Sequence, residues 1–188
     1  IKATFGAPEE NIELRFEADD TVTFTTGTQA IGQGHETSFP QIISDLLGVP
    51  TENIHYRAGD TDLIPKGGGH GSSRATFMAG TAIHMASEHI KAKGKRIAAG
   101  MLEAAEADIE FHDGVFGVAG TDRAVDLMAV AAAARAADDP LDTLQEFTRE
   151  HHTFPNGCHV AEVVIDPETG AIALARYTAV DDYGTLIN

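Results

Sequence analysis

The hydrophobic period of this chain changes from two to 3.6 within its first 50 residues. Ile12, Leu14 and Phe16 alternate with Glu13, Arg15 and Glu17. Val22 and Phe24 alternate with Thr21, Thr23 and Thr25, and Ala18-Asp19-Asp20 between them is a turn signal. This pattern predicts a hairpin with one buried face. The next apolar set, Phe39, Ile42, Ile43, Leu46 and Leu47, is spaced i, i+3, i+4, i+7, i+8 and predicts a helix ended by Gly48 and Pro50. Ser38 and Gln41 have capping-box spacing, which would put Pro40 in the first turn. A chain that must bury a sheet face and a helix stripe together is held to a layered fold.

The rest of the chain extends the mixture. IHYRAGDTD reads as a short strand running into the loop LIPKGGGHGSSR. An Ala- and Met-rich stretch from about Ala75 to Ala107 reads as helix, with Gly94 or Gly100 as places for a bend. DIEFHDGVFGVAG reads as a hairpin, and Val125 to Ala137 as a second Ala-rich helix closed by Asp138-Asp139-Pro140. Residues 141–156 carry no clear period and read as loop. Cys158 to Ile165 and Ala171 to Val180 read as strands around the turn DPETG. The fold expected is α+β, a two-layer domain with helices packed on a mixed, largely antiparallel sheet, over residues 1–188.

Composition removes several functions. The net charge is −16, from 29 acidic and 13 basic residues, which lacks the basic footprint of a nucleic-acid binder and opposes adsorption to an anionic membrane. No apolar run is long enough to span a bilayer, and no signal peptide is visible. Cys158 is the only cysteine, so no intrachain disulfide can form, which fits a reducing, cytoplasmic setting. Its apolar surroundings, NGCHVAEVVI, predict a buried small residue rather than a nucleophile.

Two glycine-rich stretches carry the chemistry. GTQAIGQGHET, residues 27–37, joins the predicted hairpin to the first helix. Gly32 and Gly34 let a ligand approach the backbone, Gln33 offers a donor and an acceptor, and His35 can donate to an anion. The helix start adds free N–H groups and partial positive charge. PKGGGHGSSRAT, residues 65–76, also precedes a helix, and sets His70, Ser72, Ser73 and the fork of Arg74 in a flexible, donor-rich loop suited to phosphate or pyrophosphate. It lacks the Gly-Lys-Ser/Thr of a P-loop. Taken alone, the first stretch is equally a capped strand-to-helix connection, and the second is equally a mobile surface loop with an N-capping serine. Two of them in one chain point to ligand binding.

Other candidates are weaker. His35-Glu36 has Phe39 where a zinc protease motif needs its second histidine. His55, His84 and His89 read as surface or interior residues, His151-His152 as solvated loop, and Asp181-Asp182 as a turn marker. No metal-ligand set is assigned.

The ordered set GTQAIGQGHET, QIISDLLGVPTENI, GDTDLIPKGGGHGSSR and FPNGCHVAEVVIDPETGAIALARYTAVDDYGTLIN resembles the molybdopterin-binding large subunit of the xanthine dehydrogenase and aldehyde oxidase family. It looks most like the aerobic carbon monoxide dehydrogenase-like large subunits, and the likeness runs from about Val22 to Asn188. The resemblance implies a molybdenum hydroxylase, with a pterin dithiolene cofactor that is commonly a cytosine dinucleotide in bacteria. It implies iron–sulfur clusters and FAD on partner domains or subunits, the remainder of the large subunit as a further partner, and no nucleic acid or membrane. It assigns cofactor binding to Gln33, Gly34 and His35 in one loop and to Ser73, Arg74 and Thr76 in the other.

The chain departs from the family in one tetrapeptide, Ser72-Ser73-Arg74-Ala75 where relatives often show Gly-Ser-Arg-Ser. The family's general-base glutamate lies in a Gly-x-Gly-Glu-type segment with no match here, so no catalytic residue is assigned. The first residue, Ile1, leads to the expectation of a piece of a longer subunit, inactive in isolation. The competing expectations are a non-catalytic binding or assembly module derived from such a domain, and an unrelated phosphate- or nucleotide-binding enzyme.

Overall fold

The alternating residues pair as their period requires. In the computed structural model, which describes residues 4–64 and 66–187, β1 (Glu9–Phe16) and β2 (Val22–Thr26) are antiparallel, with Leu14 opposite Phe24 and Phe16 opposite Val22. Ile12, Leu14, Phe16, Val22 and Phe24 are all buried. Asp20 turns the chain at φ 62, and the Thr21 hydroxyl donates to Asp19 at 2.7 Å.

The helix α1 (His35–Leu47) carries the chain across to β3 (Ile54–Ala58), which pairs parallel to β2. A parallel neighbour needs such a crossover. β7 (Thr143–Thr148) adds antiparallel to the other side of β1, giving the sheet order β3-β2-β1-β7. The long helix α2 (Ala75–Met101) packs on β1 and β7 and beside α1. A second, antiparallel sheet holds β4 (Ile109–His112), β5 (Val115–Val118) and β6 (Ala124–Asp126), and leads into α3 (Leu127–Ala136). Ile43, Leu47, Ile83, Ile90, Phe116 and Val130 join the strand residues in one core. The architecture is the expected α+β mixture of helices on mixed and antiparallel sheets.

Among the described residues, Phe5–Glu150 form one compact unit, and Thr4 with 151–187 form another. In the smaller unit, β8 (Asn156–Ile165) and β9 (Ile172–Asp182) make an antiparallel ribbon with an irregularity between Glu162 and Val163. Its turn is closed by Asp166, whose carboxylate accepts from the N–H groups of Glu168 and Thr169 at 2.8 and 3.1 Å.

The structure corrects several expectations. α1 starts at His35, because the Gly34 carbonyl already accepts from Thr37 and Ser38 at 3.1 and 2.9 Å. Ser38 is therefore no cap, and Pro40 lies in the second turn, with no N–H to offer the Glu36 carbonyl. β7 occupies part of the stretch expected to be loop; as an edge strand with only Gln145 buried, it shows no apolar alternation. The Ala-rich helix ends at Met101, and Gly94 does not break it. A Cβ on Gly94 would sit 2.3 Å from Cζ of Phe116, so this glycine is a notch for that ring. Cys158 is exposed, as is the whole of β8 and β9. An apolar strand pattern implies burial only where a further layer covers it. Pro65, in the second glycine-rich stretch, lies outside the described residues.

Candidate functional site

Parallel pairing decides where the two loops meet. Thr26, the last residue of β2, is opposite Ala58, the last of β3. Both strands therefore end at one edge of the sheet, and the loops to α1 and α2 leave from that edge. This is the place where α/β sheets bind ligands, outside the carboxyl ends of their parallel strands.

The loops then cross glycine on glycine. A Cβ on Gly27 would lie 2.3 Å from Cα of Gly67, and one on Gly67 would lie 2.5 Å from Cα of Gly27. No other residue type permits that approach. The crossing is tied by Glu10 of β1, whose side chain is fully buried. Its carboxylate accepts from Arg74 Nη1 at 2.9 Å, from the Thr28 hydroxyl at 3.0 Å and from the Gly68 N–H at 3.3 Å. Arg74 is also fully buried; Nη2 donates to the Glu9 carbonyl at 2.8 Å and Nη1 donates also to the Gly69 carbonyl. A Cβ on Gly68 would fall 2.3 Å from the guanidinium carbon. One carboxylate and one guanidinium thus fix both loops, in the paired and hydrogen-bonded form that a buried charge requires.

In front of this pair lies a cavity of about 400 Å³ lined by Ile31, Gln33, His35, His70, Ser73, Ala75 and Thr76. His35 is the first residue of α1, and Ala75 is the first of α2. The cavity therefore receives two helix N-termini, each a partial positive charge with unpaired N–H groups. None of its lining residues is acidic, in a chain with 29 Asp and Glu.

His35 is only 5% exposed, yet its Nε2 has no hydrogen-bond partner. Leaving such an atom unsatisfied costs about 1–3 kcal/mol. The ring stacks on Phe39 at 4.7 Å, and Phe39 meets Phe24 edge-on, so its orientation is set by the core. Burial, then the neighbouring His70, lower the pKa of His35, with Glu36 opposing, which favours the neutral ring. The Nδ1 atom of His70 is likewise buried and unpartnered.

Ser72 and Ser73 both lie in the left-handed region, at φ 59 and 55. Glycine takes this conformation without strain, and serine does not. Beside the cavity, the Tyr56 hydroxyl donates to the Thr28 carbonyl at 2.6 Å, and burial, with Glu36 adding, pushes its pKa up to about 12. It is a fixed support for the first loop.

Of the residues read from sequence, Gln33, His35, Ser73 and Thr76 line this one cavity. The Gln33 amide is engaged with its own loop: Oε1 accepts from the Ile31 N–H at 2.5 Å and Nε2 donates to the Gln29 carbonyl at 3.2 Å. Gly34 caps α1 at φ 80, with open space where a Cβ would stand. Arg74 sits behind the cavity rather than on its wall. Sequence reasoning missed Glu10, although it falls in phase with Ile12, Leu14 and Phe16, a carboxylate on the buried face of a strand. It also left Thr28 and Tyr56 unassigned, and named His70 only as a donor of the second loop.

Comparison with known proteins shows the family. The chain is 36% identical over 185 residues to the carbon monoxide dehydrogenase large chain of Hydrogenophaga pseudoflava, covering 95% of this chain and 23% of that one. Its structure matches reconstituted CO dehydrogenase from Oligotropha carboxidovorans with a TM-score of 0.90 and 35% identity, over 95% of this chain and 23% of that chain. It matches quinoline 2-oxidoreductase from Pseudomonas putida 86 with a TM-score of 0.86 and 31% identity, over 100% of this chain and 26% of that chain. The chain thus spans about a quarter of the length of these relatives. A family model described as "Molybdopterin cofactor-binding domain" matches residues 1–188, and the chain belongs to that family.

Proposed function

We propose that this chain is the cofactor-cradling part of a molybdenum hydroxylase large subunit, and that its cavity takes the phosphate-bearing portion of a molybdopterin dinucleotide, in the cytosine form. The observation that carries this reading is the convergence of two helix N-termini on a cavity without a carboxylate. The residues present fit the group. The Nε2 of a nearly buried histidine is unpartnered, and Ser73 and Thr76 line the same cavity.

When bound, the cofactor supplies the redox chemistry. The chain's own residues bind and orient it. His35, Ser73 and Thr76 face it directly, Gly34 leaves its backbone approachable, and Gln33 holds the first loop in shape. Arg74 acts from behind, bracing the second loop through Glu10. The general base, the iron–sulfur and FAD partners, and the rest of the large subunit are assigned to other segments or chains in a cytoplasmic assembly. The names of the relatives support this reading: carbon monoxide dehydrogenase and quinoline 2-oxidoreductase. No helix among the described residues is long and apolar enough to cross a membrane.

The test is the molybdenum and cytidine nucleotide content of the native protein purified from its source. About one of each per chain is expected. A protein without molybdenum would leave a non-catalytic assembly module.

A further inference from the structure

The ribbon of β8 and β9 is exposed along its whole length, yet its two faces differ in chemistry. Residues paired across a ribbon share a face, and neighbours along a strand alternate. Val163 and Ile165 of β8 therefore share one face with Leu174 and Ile172 of β9, and with the pair Ala161 and Tyr177 beyond them. Strict alternation along β9 would put Ile172 and Leu174 on the other side from Tyr177. The register shift between Glu162 and Val163 leaves Ala175 without an opposite residue, and brings all three onto one side. The face so gathered carries bulky apolar side chains from Val163 at 52% exposure to Ile172 at 70%. On the opposite face, the Glu162–Arg176 ion pair separates Val164 from Val160 and Val180.

The polar end of the first face is closed on itself. His159 Nε2 hydrogen-bonds the Asp181 carboxylate at 2.9 Å, and its Nδ1 hydrogen-bonds the Tyr177 hydroxyl at 2.6 Å. The hydrogen bonds from His159 and then from the Tyr183 hydroxyl hold Asp181 below the usual carboxylate pKa. Gly157 makes room for this network, because a Cβ there would collide with the Asp181 carboxylate. A face whose polar groups are already paired, and whose remainder is apolar, is suited to burial. A two-stranded ribbon without such cover is marginal in water.

The size of the face selects its occupant. Strands rise about 3.3 Å per residue and lie about 4.8 Å apart, so a two-stranded face of this length covers on the order of 300–400 Å². A stable interface between separate proteins buries about 800 Å² on each side. A segment of the same polypeptide is held near by its own chain and needs less. The relatives have the length to supply one, since this chain spans about a quarter of theirs. Resting on the reading of this chain as part of a large subunit, we propose that the Val163–Leu174 face, and not the opposite one, seats another segment of the same polypeptide. That segment lays an uncharged apolar stripe along Val163, Ile165, Ile172 and Leu174.

The test is hydroxyl-radical footprinting of the full-length native protein, each side chain being compared with its oxidation in urea. Ile165, Ile172 and Leu174 are expected to be protected about fivefold or more, and Val160, Val164 and Val180 to stay within about twofold of the unfolded rate. Leu174→Asp should lower the thermal midpoint and open Ile165 and Ile172 to oxidation, and Val164→Asp should do neither. Equal oxidation of the two faces would overturn the proposal, as would protection of both. Protection lost on dilution, or on removal of other subunits, would give the face to a second copy or to another chain and overturn the occupant. Molybdenum is measured on the same sample. A protected face without molybdenum would sink the cradle reading alone, and an unprotected face with molybdenum would sink this inference alone.

Discussion

A serine at φ 59 is held against its own preference. The left-handed region costs an L-residue about 1–2 kcal/mol, and Ser72 and Ser73 both occupy it. Ser72→Gly should therefore stabilise the chain by about 0.5–1 kcal/mol, the strain relief being partly offset by the freer unfolded chain. A higher thermal midpoint is the expected result; an unchanged or lower one would show that the Ser72 side chain contributes something the backbone does not reveal. His35 makes a second prediction at this scale. Its pKa is lowered by burial, so the unfolded chain takes up this proton more readily than the folded one. The stability associated with His35 is thus present above the ordinary histidine value of about 6.5 and is lost as pH falls through it toward the lower, folded value. In His35→Phe, the fall in thermal midpoint between about pH 7.5 and 5.5 should be shallower than in the parent.

At the scale of elements, β1 does two jobs with one face. Ile12, Leu14 and Phe16 seal the core, and Glu10 in the same phase anchors both glycine-rich loops. Removing one partner of a buried ion pair typically costs about 3–5 kcal/mol. Glu10→Ala should release the loops: amide exchange at 27–34 and 66–74 rises, while exchange in the middle of α2 stays near the parent. Unchanged exchange at the Gly68 N–H would contradict the anchoring role, because that group donates to Glu10. The contact between α2 and the second sheet is equally specific. Gly94→Ala drives a methyl group into the Phe116 ring and should cost about 1–3 kcal/mol in thermal or denaturant unfolding. Pairing it with Phe116→Leu should recover part of that loss.

Much of this level was legible in the residues. The hairpin, α1, α2 and the ribbon all follow from period and turn chemistry. β7 did not, because an edge strand with an exposed Leu144 lacks the one-sided apolar signal. The start of α1 was misplaced because a glycine at φ 80 caps it where capping-box spacing pointed to Ser38. The cavity was half legible: glycines and donors marked both loops, whereas the parallel pairing that brings them to one edge exists only in the fold.

At the scale of the whole molecule, composition and site pull in opposite directions. The chain carries −16 charges, yet the cavity proposed for a phosphate ester has an acid-free wall. Local donors set how tightly such a ligand is held. The net charge sets how fast it arrives. An anion approaching this chain climbs a repulsive field that reaches about 30 Å at 0.01 M salt and only about 8 Å at 0.15 M. Association should therefore quicken as salt is added, the reverse of a steered encounter. Stopped-flow capture of a phosphate-bearing pterin by the full-length, cofactor-stripped protein would read this directly. A rate that rises across that range means that loading is limited by entry against the field. A rate that falls means that a basic surface elsewhere in the subunit draws the ligand in, and that this domain only receives it.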